Sequence, residues 1–143
     1  MSTARTLTAV GDRVIYKVFP PITRHTLALY CGASGDHNPI HVDLDFARAA
    51  GFPDVFTHGM LVMAYLGQAL TDSVHPAAIR SFSTRFTAIT QLGARLTCEG
   101  HVADLLEHEG EKRARLALTT KDESGEVKLA GEAIVALQSR NTL

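Results

Sequence analysis

A helix-length segment in the middle of the chain, GMLVMAYLGQALTD at residues 59–72, is apolar nearly all round. Apolar side chains on every face predict a helix that is buried on most sides, not one that lies on a surface. The segment is shorter than the ~20 apolar residues that cross a bilayer. Other elements of the chain therefore have to cover this helix.

The second half of the chain supplies strands for that purpose. From residue 80 the pattern changes to a period of two, which is typical of a strand with one buried face. The residues on the predicted buried side of this first strand are Phe82, Thr84, Phe86 and Ala88. Further alternating stretches span residues 94–106, 112–121 and 126–138. Turn residues separate them at Glu109-Gly110 and Ser124-Gly125. We expect four consecutive strands that form a meander.

The first half of the chain is predicted from its strand pattern and from helix caps. Ser, Thr and Asp begin helices by accepting a hydrogen bond from the first turn, and Gly ends them. The predicted elements are a strand at residues 13–19, a helix that Thr23 caps and that ends near Ala33, a loop at residues 34–42, and a short helix between Asp43 and Gly51.

Together these elements predict one α+β domain over residues 1–143, in which an antiparallel sheet curls around the central apolar helix. This is an arrangement of the hot-dog type. A chain of 143 residues can bury a hydrophobic core without disulfides or metals. One sheet leaves its edges and one face uncovered. Pairing of two sheets would bury more surface, so we expect a homodimer at least.

Composition and charge argue against several classes of protein. The net charge is −1, which gives no electrostatic attraction for nucleic acid. The N-terminal residues 1–12 have no apolar stretch of the secretory kind, so we expect a cytoplasmic protein with no membrane contact. The cysteines, Cys31 and Cys98, lie in apolar segments without C-x-x-C spacing, and we expect reduced thiols.

The loop at residues 34–42 carries the side chains best suited to catalysis. It places a carboxylate, Asp36, five residues before an imidazole, His41, and Pro39 stiffens the chain between them. A stiff loop can hold both side chains at a fixed separation, where they can orient one water and exchange protons with it. Asn38 can support the pair. The alternative is an Asx-type turn made by Asp36, with His41 as a polar surface residue.

Two glycines of the apolar segment extend this candidate site. Gly59 begins the helix, where the first amides lack intrahelical partners, so an oxyanion can approach its N–H closely. The alternative for Gly59 is tight packing against the sheet. Gly67 either permits a close contact with a strand or leaves room for an acyl chain. A water-binding pair and an oxyanion donor suggest addition of water to, or its removal from, an activated acyl compound. The candidate substrate-binding residues are Ser34, Gly67 and Phe82.

A metal centre is a further candidate for this region. The possible ligands are Asp36, His37, His41, Asp43 and His58. Their spacing matches neither H-x-x-x-H nor H-E-x-x-H, and no cysteine set accompanies them. The sequence therefore predicts no metal site.

The stretch SGDHNPIHVD at residues 34–43, followed by Gly51-Phe52 and then by His58-Gly59-Met60, resembles the hydratase-2 motif of the MaoC-like dehydratases. This family includes the (R)-specific enoyl-CoA hydratases, and the similarity extends over almost the whole chain. The resemblance implies one hot-dog domain with Asp36 and His41 as the catalytic dyad. It further implies that Asn38 supports the dyad and that the Gly59 amide binds the thioester oxygen.

The activity implied by the resemblance is the interconversion of trans-2-enoyl and (R)-3-hydroxyacyl thioesters by syn addition or loss of water. CoA is expected as the carrier in preference to acyl-carrier protein, and no cofactor is required. The sequence leaves open which of Asp36 and His41 is the base. It also leaves open an acyl-CoA thioesterase of the same fold, a non-catalytic acyl-binding or partner subunit, and a hetero-oligomer with a second hot-dog subunit.

Overall fold

The computed structural model describes residues 9–137. The elements in chain order are β1 (Arg13–Val18), α1 (Arg24–Ser34), α2 (Leu44–Ala49), α3 (Gly59–Ser73), β2 (Ile79–Phe86), β3 (Thr97–His108), β4 (Glu111–Lys121) and β5 (Val127–Ala136). Every predicted helix and strand is present, with ends that differ by a few residues. The last residue of the predicted strand 126–138 and both ends of the predicted domain 1–143 lie outside the described residues.

The caps predicted from the sequence are present at the helices that flank the loop. The Thr23 hydroxyl accepts a hydrogen bond from Thr26 N at 3.1 Å, and α1 ends at Gly35, whose φ of 76° is left-handed. The Asp43 carboxylate accepts from Phe46 N at 3.1 Å and begins α2. The loop is therefore held at both ends by helix termini.

Within residues 9–137, five strands form one antiparallel sheet in the order β1-β3-β4-β5-β2. The predicted meander of four strands is wrong at its first strand, because β2 pairs with β5 and not with β3. The residues between β2 and β3, 87–96, form no tight hairpin, and they let the chain cross to the other side of the sheet. Gly131 permits the β2–β5 pairing, since a Cβ there would lie 2.1 Å from Ser83 O.

Helix α3 packs against β1, β3, β4 and β5. Its buried residues are Leu61, Val62, Leu66, Ala69 and Leu70. They share one hydrophobic core with fully buried side chains of the sheet such as Leu116, Leu118 and Leu129. This confirms the α+β fold with a sheet around a central apolar helix. The helix is less enclosed than its sequence predicts, because a stripe that includes Met60 and Gln68 faces outward.

Two predictions from composition can be compared with the structure. Cys31 and Cys98 are both buried and free, which confirms the expected thiols. Over residues 9–137, no helix combines the length and the apolar character that a membrane span needs. The cytoplasmic location stays a prediction.

Candidate active site

Side-chain to backbone hydrogen bonds make the loop after α1 stiff. The Ser34 hydroxyl donates to Tyr30 O at 2.6 Å and accepts from Asp36 N at 3.1 Å. Asp36 Oδ1 accepts from Asn38 N, and Asn38 Oδ1 accepts from Ile40 N, both at 3.2 Å. The Asx-type turn considered for Asp36 is therefore present, and it uses only one carboxylate oxygen. Asn38 shapes the loop, and the Ser34 hydroxyl is occupied by backbone groups.

The second carboxylate oxygen of Asp36 faces His41. The distance from Asp36 Oδ2 to His41 Nε2 is 3.9 Å, and the Asp36 side chain is 48% exposed. His41 is buried, so the alternative of a surface histidine does not hold. Its Nδ1 lies 2.8 Å from Phe56 O, and a carbonyl oxygen can only accept. His41 Nδ1 therefore carries a proton, and in the neutral ring the Nε2 lone pair points toward Asp36.

His58 joins this pair, although the sequence analysis gave it only as a possible metal ligand and as part of the motif. Its ring stacks on the His41 ring, with centroids 3.8 Å apart and planes inclined by 25°. His58 Nε2 lies 3.3 Å from Asp36 O and 3.4 Å from Cys31 Sγ. The Tyr30 ring makes an edge-to-face contact with the same imidazole, with ring centroids 4.8 Å apart. The signal in the sequence is a histidine directly before Gly59, at the start of a predicted helix. In the structure its side chain does not cap that helix.

Burial controls the protonation of His58. The residue is 1% exposed, and desolvation, followed by the neighbouring His41 imidazole, lowers its pKa. The hydrogen bond to the Asp36 carbonyl and the Asp36 charge act in the opposite direction but are smaller. Burial therefore favours the neutral form of the His58 ring.

Gly59 lies at the first turn of α3, directly after His58. The N-cap His58 makes no side-chain hydrogen bond to this turn. A Cβ added at Gly59 would lie 3.0 Å from Phe86 Cε1, tighter than an ordinary contact. The contact with Phe86 supports the packing explanation for Gly59. Its amide lies at a helix start that no side chain caps, and its role as an oxyanion donor stays a prediction.

Gly67 and Phe82 lie against each other. A Cβ at Gly67 would be 3.6 Å from Phe82 Cε1, which is an ordinary van der Waals distance. Close packing with a strand therefore does not require the glycine. This favours the second explanation, in which the missing side chain leaves room for a substrate.

The ligand atoms of Asp36, His41 and His58 all lie within 4.8 Å of one another, a grouping that could hold a metal ion. The hydrogen bonds limit this possibility. His58 Nε2 donates to the Asp36 carbonyl, so this nitrogen has no free lone pair for a metal. The arrangement fits acid–base chemistry better than three-ligand coordination.

Comparisons with known proteins show which family this chain resembles. A family model described as MaoC like domain matches residues 5–124. The (R)-specific enoyl-CoA hydratase of Rhodospirillum rubrum is 32% identical over 121 residues, which are 83% of this chain and 82% of that protein. The unliganded R-hydratase PhaJ1 of Pseudomonas aeruginosa is 29% identical with a TM-score of 0.81, over 92% of this chain and 84% of that one.

A third relative is much longer than this chain. The fatty acid synthase subunit beta of Aspergillus oryzae is 34% identical over 115 residues. The match covers 76% of this chain but only 5% of the synthase subunit. The similarity is therefore to a small part of that subunit.

Proposed function

Because the chain belongs to the MaoC-like dehydratase family, we propose that it is a hydro-lyase that interconverts trans-2-enoyl and (R)-3-hydroxyacyl thioesters, with CoA as the carrier. The observation that carries the proposal is the position of two hydrogen-bond acceptors, Asp36 Oδ2 and His41 Nε2, 3.9 Å apart. The identity to an (R)-specific enoyl-CoA hydratase supports the substrate class.

The dyad geometry suits one water molecule. The separation of 3.9 Å between Asp36 Oδ2 and His41 Nε2 is long for a direct hydrogen bond. One water can reach both atoms through hydrogen bonds of about 2.8 Å. His41 Nε2 accepts one proton of this water, because Nδ1 already carries one, and Asp36 accepts the other hydrogen bond. His41 is thus the base in the hydration direction, and Asp36 orients the nucleophile.

The remaining steps balance as an addition to a double bond. The water oxygen bonds to C3 of the enoyl chain, and the electrons of the double bond shift toward the thioester oxygen. The Gly59 amide stabilises this oxygen, at a typical contribution of ~3–4 kcal/mol to the transition state. The proton taken by His41 then reaches C2 on the same face, which gives the syn product. In the reverse direction the same groups remove water.

A second copy of the chain is proposed as the partner. The edge strand β2 ends at Phe86, which is 54% exposed, and Met60 at the start of α3 is equally exposed. Ile89 adds a third partly exposed apolar side chain. Association through this edge would bury them beside Gly59. Mass measurement of the purified chain tests this: a dimer is expected, whereas a monomer would direct the search toward a different hot-dog subunit.

Replacement of Asp36 by Asn tests the dyad. The amide oxygen can still accept the hydrogen bond from Asn38 N, so the loop is expected to keep its shape. Loss of the charge is expected to lower kcat for hydration of crotonyl-CoA by ~10²–10⁴-fold. The matched control is Asp45→Asn, since Asp45 is an exposed carboxylate on α2. Equal rates for the Asp36→Asn variant and the wild type would show that the dyad assignment is wrong.

The same assay separates hydration from thioester hydrolysis. A hydratase removes the enoyl absorbance and leaves the thioester intact, whereas a thioesterase releases free CoA thiol. We expect a 3-hydroxyacyl-CoA product of (R) configuration and no thiol release above background. Thiol release without hydration would favour the thioesterase alternative.

A further inference from the structure

The His58 ring is the point where three parts of the site meet. The ring stacks on His41 and hydrogen-bonds to the backbone carbonyl of Asp36. The backbone carbonyl of His58 accepts a hydrogen bond from Leu61 N at 3.1 Å in the first turn of α3. The residue therefore links the catalytic loop to the helix start that presents Gly59. The mechanism above gives His58 no part in proton transfer, so its contacts need another explanation.

The surroundings of His58 favour one tautomer. Nε2 faces the Asp36 carbonyl oxygen, which accepts only, so Nε2 carries the proton. Nδ1 is buried and has no hydrogen-bond partner within the described residues. A second proton on Nδ1 would be a buried donor without an acceptor, which is costly. The ring is therefore a neutral donor toward Asp36 and an uncharged surface toward His41.

These contacts suggest how His58 acts on the dyad. A buried ring fixed by Asp36, Cys31 and Tyr30 cannot rotate freely, so the stacked His41 ring is held in one plane. The hydrogen bond from His41 Nδ1 to Phe56 O fixes the rotation of the His41 ring within that plane. Together the two contacts direct His41 Nε2 toward Asp36.

We propose that His58 is a positioning residue that sets the distance and direction between His41 Nε2 and the Asp36 carboxylate. It acts through a hydrogen bond to the Asp36 carbonyl and through a neutral ring stacked on His41. This inference rests on the proposed hydratase activity. It assigns His58 no direct contact with the substrate and no transfer of protons.

Two substitutions divide these contacts. His58→Phe keeps a flat ring against His41 but removes the N–H that bonds Asp36 O. His58→Gln keeps an N–H donor near the position of Nε2 but removes the ring. Since a small misplacement of reacting groups costs up to ~10²-fold in rate, we expect kcat for crotonyl-CoA hydration to fall by ~10–100-fold in the Phe variant. The Gln variant loses the stacked ring, so its kcat should fall as well, and KM should change by less than ~3-fold in both variants.

The pH profile separates positioning from acid–base catalysis. Replacement of a neutral positioning residue lowers kcat at every pH and leaves both limbs of the plot of kcat against pH in place. Loss of one limb in His58→Phe and in His58→Gln would make His58 a proton carrier and overturn the proposal. Wild-type kcat in either variant would overturn it as well, because each variant lacks one of the two contacts.

Controls keep the result independent of folding and of the proposed function. His101→Phe alters an exposed histidine on β3 and is expected to leave kcat unchanged. Thermal unfolding shows whether each variant is folded. If His58→Phe does not fold, the pH profile and kcat of His58→Gln decide alone. If the wild type hydrates no enoyl-CoA, the proposed function fails, whereas a wild type that is active with unaffected variants contradicts only the role of His58.

Discussion

At the scale of single residues, Gly59 has both a chemical and a packing reason to be glycine. Its amide lies at the uncapped start of α3, and a Cβ would lie 3.0 Å from Cε1 of Phe86. Because the close atoms belong to the Phe86 side chain and not to the backbone, a small shift of the ring would make room for a methyl group. The packing reason is therefore the weaker of the two, and a double substitution can separate them.

We expect Gly59→Ala to lower kcat/KM for enoyl-CoA by ~10-fold or more, because the methyl group crowds the approach of the thioester oxygen to the amide. The free energy of unfolding should change by less than about 1 kcal/mol, since alanine favours the helix while it crowds Phe86. Adding Phe86→Leu should relieve the crowding without restoring activity. Full recovery of kcat/KM in the double variant would assign Gly59 to packing alone.

The sequence predicts Asp36, His41 and Gly59 because loop stiffness and helix starts are local properties. It does not predict the position of His58 against His41, since this contact depends on how α3 and the loop after α1 pack in space. The sequence also does not predict the acceptor for His41 Nδ1, because it is the backbone carbonyl of Phe56 and every residue type has such a carbonyl. Both contacts decide protonation, which explains why the sequence left the base unassigned.

At the scale of elements, the strand pattern predicts each strand but not the partner of β2. Alternation fixes which face of a strand is buried and carries no information on its neighbour. The pairing of β2 with β5 depends instead on Gly131, which faces Thr84 across the ladder. An added Cβ would lie 2.1 Å from Ser83 O, and a backbone atom cannot move aside cheaply.

Gly131→Ala is accordingly expected to lower the free energy of unfolding by about 3 kcal/mol or more, because the β2 and β5 backbones would have to separate. Urea unfolding followed by circular dichroism measures this. Gly125→Ala is a useful comparison, since Gly125 has a φ of 87° but open space around its Cα. The Gly125→Ala variant should lose less free energy of unfolding, about 1–2 kcal/mol, because only the backbone conformation is strained there. Equal losses would argue against a close β2–β5 contact.

Gly67 in α3 should respond in the opposite way. Its added Cβ meets only Phe82 at an ordinary distance, and alanine favours a helix interior by roughly 1 kcal/mol. We expect Gly67→Ala to raise the free energy of unfolding by about 0.5–1 kcal/mol. If the glycine leaves room for the acyl chain, kcat/KM should fall more for long enoyl-CoA substrates than for crotonyl-CoA. A uniform change over all chain lengths would remove Gly67 from the substrate site.

At the scale of the whole molecule, the buried imidazole of His58 makes the free energy of unfolding depend on pH. The fold encloses His58 between the loop, α1 and α3, and this burial lowers its pKa below the ordinary value of 6.5. In the unfolded chain the same residue takes up a proton near that value. Between the two pKa values the unfolded state binds more protons than the folded state, so the free energy of unfolding rises with pH.

The contribution of His58 to stability is therefore fully present above pH 6.5 and is lost as the pH falls through the lowered pKa of the folded state. Urea unfolding of the wild type and of His58→Gln, measured between about pH 5 and pH 8, tests this. The variant should lose less stability on acidification than the wild type, because its side chain does not titrate. His101→Gln removes an exposed histidine and should keep the wild-type slope. Identical slopes for the wild type and His58→Gln would mean that His58 takes up its proton as readily in the fold as in the unfolded chain, and the neutral ring against His41 would then be lost in mild acid.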